Sequence, residues 1–178
     1  MKVRKMLVIG LDGVTFDLIK PWMDEGRLPT LKAISDGGVT SKLISCIPPV
    51  SAVAWASIMT GKNPGKHGIF EFLYRKQGYT QATVDATMCN GKRFWEILSE
   101  NGKRVVIINV PLTYPPSTSK VNGCLISGFL TPSNSKNFST PKDLIRQIEN
   151  RFVCTPVAYE DDLILPLHTF HYRRDSVV

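Results

Sequence analysis

Residues 6–11 are apolar or glycine without interruption, until Asp12-Gly13 ends the run. A continuous apolar run of strand length predicts a central parallel strand covered on both faces. Residues 104–110 predict a second buried strand and residues 124–127 a third. Alternation over 39–47 predicts another strand, closed by Pro48-Pro49, and residues 69–74 and 79–84 predict two strands able to pair. Between them lie helical patterns. Residues 16–23 predict a short helix interrupted near Pro21, and residues 29–34 a helix with Pro29 at its first turn and Gly37-Gly38 beyond its end. Residues 51–60 are Ala-rich, with Ser51 as N-cap and Gly61 past the end. Residues 94–100 predict a helix stopped by Asn101-Gly102, and residues 142–149 an amphipathic helix. From about residue 152 the pattern is less regular and predicts no terminal helix or strand.

Strands alternating with helices predict an α/β fold, a mostly parallel central sheet flanked by helices, in a single domain over 1–178. Composition agrees, since 43% hydrophobic and 21% charged residues can bury a core and exclude wholesale disorder. No apolar run approaches the roughly 20 residues of a membrane span. The basic start and six-residue apolar run lack a cleavage pattern, so the expectation is a cytoplasmic protein with no membrane partner. Cys46, Cys89, Cys124 and Cys154 stand far apart with no C-x-x-C pair, which excludes a zinc knuckle and predicts unremarkable thiols. The net charge of +7 favours an anionic ligand. Its lysines and arginines are dispersed and lack the aromatic interleaving of an RNA-binding surface, so no nucleic-acid partner is expected.

Candidate chemistry starts at Asp12. A carboxylate beyond the carboxyl end of a parallel strand stands where such sheets bind ligands, and suits a hard or borderline metal; the alternative is a turn residue capping the next helix. Ser51 is second. A hydroxyl at a helix N-terminus sits at the positive end of the helix dipole, which favours phosphoryl groups and an oxygen nucleophile; the alternative is a plain helix cap. The stretch Gly61-Lys62-Asn63-Pro64-Gly65-Lys66-His67 fails as a P-loop, because the glycine spacing is one short and His67 replaces the hydroxyl residue. His168 and His171, with Asp161 or Asp162, could ligate a metal only if a helix brought the two histidines to one face.

In order along the chain, Val8-Ile9-Gly10-Leu11-Asp12-Gly13, then Pro48-Pro49-Val50-Ser51 through Thr60-Gly61, then Asn63-Pro64-Gly65-Lys66-His67-Gly68-Ile69 resemble the type I phosphodiesterase/nucleotide pyrophosphatase family of the alkaline phosphatase superfamily. The resemblance covers about residues 5–150 and looks like the N-terminal part only. It implies an alkaline-phosphatase-like fold, incomplete here, with 152–178 a divergent or truncated tail. It implies hydrolysis of a small anionic phosphoester through a phosphoserine on Ser51, which lies nine residues before Thr60 as the family nucleophile does. Asp12 and Ser51 become metal ligands for divalent Zn or Mn.

The complete family binds two such ions with later Asp-x-x-x-His or Asp-x-x-Gly-His ligands. Neither arrangement occurs here, so binding is expected to be weak or partial. The competing expectation is an inactive remnant that binds anions or self-associates as a homo-oligomer through an exposed sheet edge. His67 is expected to fix the turn into the next strand.

Overall fold

The computed structural model describes residues 5–76, 78, 80–116, 119–132, 134–144, 152–157 and 167–172. Two compact units result, Met1–Ile44 and Ser45–Val178.

In the first unit the regular elements are α1 (Phe16–Asp24) and α2 (Pro29–Asp36). Helix α1 runs through Pro21 to Asp24, so the expected interruption does not occur. An interior proline removes one backbone hydrogen bond and crowds the carbonyl four residues back, a cost that α1 carries without ending at Pro21. Helix α2 begins with Pro29, whose fixed φ suits the first turn, and ends at Gly37. The strands expected at 6–11 and 39–47 do not form. Met6 is 79% exposed and Leu7 82%, and Leu43 and Ile44 are also exposed. An apolar run favours burial, but a strand needs a partner for its backbone N–H and C=O groups. No strand is described in this unit to supply one.

The second unit carries the core. Its first helix is α3 (Ser51–Thr60), and the single turn α4 (Pro64–His67) comes after it. An antiparallel hairpin of β1 (Leu73–Arg75) and β2 (Gln81–Thr83) is next, close to the predicted pair but shorter. Helix α5 (Phe94–Glu100) stops at Asn101, as its sequence predicts. Then β3 (Val105–Val110) pairs in parallel with β4 (Gly123–Ser127), with Val105 opposite Gly123 and Ile108 opposite Ile126. Strand β5 (Ser139–Thr140) adds antiparallel to β4, giving the order β3-β4-β5. The result is an α/β fold with a small mixed sheet and flanking helices, consistent with an incomplete alkaline-phosphatase-like fold.

Burial on β3 alternates. Val105 and Ile107 are buried while Val106 is 65% exposed and Ile108 53% exposed. The expectation of cover on both faces therefore holds for one face only among the described residues. Ala52, Ala56, Met59, Ile69, Trp95, Ile107, Leu112, Leu125 and Leu130 belong to one buried cluster that joins α3, α5 and the sheet. Burying each large aliphatic side chain stabilises by about 1.5–3 kcal/mol, so α3 is fixed chiefly by tertiary packing.

Within the stretch expected to be irregular, β6 (Phe152–Val157) and β7 (Leu167–Tyr172) form strands that pair antiparallel. Most of the helix predicted at 142–149 lies outside the described residues. No helix among the described residues is long and apolar enough to cross a membrane.

Candidate active site

Pro48-Pro49 breaks the preceding chain, and the amide of Val50 donates to the Pro48 carbonyl at 3.0 Å. Val50 takes the N-cap position with φ −109° and ψ 139°, so Ser51 is the first helical residue of α3 rather than its cap. Its hydroxyl group is still carried by the first turn, where backbone amides have no intrahelical acceptor and the dipole is positive. Behind it Ala52, Val53, Ala56 and Met59 are buried, which holds the first turn against the core. Gly61, with φ 65°, closes the helix in the left-handed conformation that glycine adopts without steric cost. Thr60 Oγ1 donates to the Ala56 carbonyl at 2.7 Å.

His67 anchors the chain beyond α3. Its side chain is fully buried. The Ile69 amide donates to Nδ1 at 3.1 Å, so Nδ1 carries no proton and Nε2 is the protonated nitrogen. Nε2 then donates to Ser57 Oγ, 3.0 Å away on α3. Burial lowers the His67 pKa below its ordinary value, consistent with this neutral tautomer. The Asn90 amide donates to the His67 carbonyl at 2.8 Å. His67 thus ties α3, the entry to the next segment and the Asn90 loop together, which is the structural role expected of it.

Asp12 lies in a turn of the first unit, beside Gly13 with φ 67°. Ser51 belongs to the second unit. His168 and His171 both fall on strand β7, opposite Pro156 and Val153 of β6. That backbone is extended, so the helical spacing on which a converging pair depended is not met. Asp161 and Asp162 lie outside the described residues. Among the described residues no group of three or more His, Cys, Asp or Glu side chains gathers. The described side chains therefore do not by themselves complete a metal site.

Several polar features are not signalled by the sequence pattern. Arg93 precedes α5 and is buried; its guanidinium donates to the Ala86 carbonyl at 2.6 Å and pairs with Glu96 at 3.5 Å. Glu96 Oε2 also accepts the Arg93 amide at 2.7 Å, the half of a capping box that a glutamate at the third helical position supplies. Burial raises the Cys89 pKa more than the charges of Arg93 and Lys62 lower it, and burial also raises that of Cys124. Both are thus thiols rather than thiolates near neutral pH, as the sequence suggests.

Beyond the ends of β3 and β4, Thr113 Oγ1 donates to the Val110 carbonyl at 2.6 Å and accepts the Gly128 amide at 3.1 Å. Ser127 and Thr131, fully buried, are linked Oγ to Oγ1 at 3.0 Å. Only the Asn109-Val110-Pro111 break at the end of an apolar run could have flagged this edge.

The model of the type I phosphodiesterase/nucleotide pyrophosphatase family matches residues 6–174, a stretch corresponding to the N-terminal part of a longer family member. No curated protein and no solved structure matches the chain significantly.

Proposed function

We infer, from the premise that the chain belongs to the type I phosphodiesterase/nucleotide pyrophosphatase family, that it is a phosphoric-ester hydrolase acting through a phosphoserine at Ser51. The observation that carries this reading is the position of Ser51. It opens α3 nine residues before Thr60-Gly61, as the family pattern requires, on a first turn packed against the core. The substrate is a small anionic phosphoester, attracted by the net charge of +7.

In the first step Ser51 Oγ attacks phosphorus as the bond to the leaving oxygen breaks. The hydroxyl proton passes to solvent, and the leaving group departs with its electron pair. Water then cleaves the phosphoserine, returning Ser51 and releasing the second product. Helix-terminal amides favour the charge that develops on the phosphoryl oxygens. The family is generally metal-dependent, and Asp12 and Ser51 are the ligands we assign for Zn or Mn. Two oxygens leave most coordination positions to water, so binding should be weak and partial.

The test is hydrolysis of bis(4-nitrophenyl) phosphate with Mn²⁺ or Zn²⁺, parent against Ser51→Ala and Asp12→Asn. Turnover that disappears in both variants supports the reading, and parental turnover in Ser51→Ala overturns it.

A second reading has its own observation. Strand β3 ends the described sheet with Val106 and Ile108 exposed. An apolar edge strand of this kind suits a non-catalytic chain that self-associates. Sedimentation of the parent and of Val106→Lys separates the readings, because only self-association through this edge predicts a lower mass in the variant.

A further inference from the structure

Strand β3 does not end as a regular strand. Its pairing with β4 slips between Ile108 and Val110, and Asn109, inside the slip, has φ 57°. A non-glycine residue in the left-handed region is held there by its surroundings, and such positions cluster at functional sites. Here the surroundings are explicit. Gly128, at the carboxyl end of β4, lies so close to the Asn109 carbonyl group that a Cβ there would collide with its backbone. Thr113 bridges the Val110 carbonyl and the Gly128 amide. Leu112, with φ 58°, continues the irregular path, and its amide donates to the Phe129 carbonyl at 3.4 Å.

A bulge re-aims one side chain, and the side chain re-aimed here belongs to Asn109. Asn109 is exposed, and its carboxamide makes no hydrogen bond to another described residue. It stands at the carboxyl end of the parallel pair β3–β4, the edge where open α/β sheets bind ligands. Val110, its neighbour, and Val50, the neighbour of Ser51, both pack against the same buried cluster. The strand end and the start of α3 therefore rest on one rigid core.

We propose that Asn109 binds a phosphoryl oxygen, its side-chain N–H donating to a non-bridging oxygen of the phosphoester. This contact rests on the hydrolase reading and deepens it by naming a residue that holds the transferred group. A carboxamide offers two donors without a charge. It therefore holds an anion without pairing permanently with a carboxylate. The alternative is conformational only, because asparagine tolerates φ 57° better than most residues.

Glycine and aspartate separate the two roles. Asn109→Gly adopts the left-handed backbone more easily still but lacks the donor, and Asn109→Asp keeps the shape while presenting a carboxylate to the anion. Parent and both variants, as full chains, are titrated with inorganic phosphate by calorimetry and assayed on bis(4-nitrophenyl) phosphate with Mn²⁺. The expected result is a phosphate Kd raised by about 10-fold in Asn109→Gly and more in Asn109→Asp, with kcat/KM falling in parallel and thermal stability kept. If the parent hydrolyses nothing yet binds phosphate through Asn109, the hydrolase reading falls and the contact stands. Equal phosphate binding in all three chains, or none in the parent, overturns the contact whatever the activity.

Discussion

His67 Nε2 donates to Ser57 Oγ across 3.0 Å, from a ring whose other nitrogen accepts the Ile69 amide at 3.1 Å. Both nitrogens are satisfied inside a fully buried pocket, so the side chain is a brace for α3. His67→Ala is expected to destabilise the chain by about 2–4 kcal/mol, from lost packing and two stranded partners. Denaturant unfolding measures the loss, and a change below about 1 kcal/mol would mean the brace is dispensable.

The same histidine sets a pH dependence. Its folded pKa lies below the ordinary 6.5, so the unfolded chain binds its proton first as pH falls. The contribution to stability is fully present above 6.5 and is lost progressively as pH drops toward the folded value. Unfolding midpoints between pH 8 and 5 should therefore fall more steeply in the parent than in His67→Gln; parallel curves would contradict the neutral buried ring.

Arg93 and Glu96 form the second brace, 3.5 Å apart with side chains 7% and 11% exposed. Removing one partner of a nearly buried pair strands the other charge, so Glu96→Ala should cost about 3–5 kcal/mol. Glu96→Gln can still accept the Arg93 amide and should cost less. Equal losses in the two variants would show that the charge, rather than the cap, carries the interaction.

Gly123 is the strictest position in the sheet. Its φ is 144°, and a Cβ would collide with the Val105 carbonyl oxygen across the parallel pair. Gly123→Ala must shift the β3–β4 register or unfold it, and should lower stability by more than about 2 kcal/mol. Unchanged melting would show that the two strands are not held at the observed distance.

The fold is legible in the sequence wherever the forces are local. Helix signals read well, because Pro29, Gly37, Gly61 and Asn101-Gly102 act within their own turns. The apolar runs at 6–11 and 39–47 predict strands that do not form, since pairing depends on partners that hydrophobicity does not specify. The hairpin β6–β7 escapes the pattern because Pro156 interrupts 152–157 and the mixed polarity of 167–172 disguises a strand. Order and spacing along the chain mark Ser51 and Asp12 as candidates, whereas Asn109, proposed above to hold a phosphoryl oxygen, stays hidden in the sequence. Its positive φ arises from Gly128 and Thr113, which lie close in space and distant in sequence.

The central claim is that Ser51 carries the phosphoryl group. Its most direct test is mass spectrometry of the parent chain quenched during turnover of bis(4-nitrophenyl) phosphate with Mn²⁺. Ser51→Ala serves as the control, and its fold should persist because Ser51 is the first helical residue rather than the cap and alanine is the best helix former. The account predicts a 4-nitrophenyl phosphoryl group on the peptide containing Ser51, since one 4-nitrophenolate leaves in the first step and the other stays on phosphorus, and neither adduct nor turnover in Ser51→Ala. Turnover by Ser51→Ala at the parental rate, with no phosphorylated peptide in the parent, would contradict it.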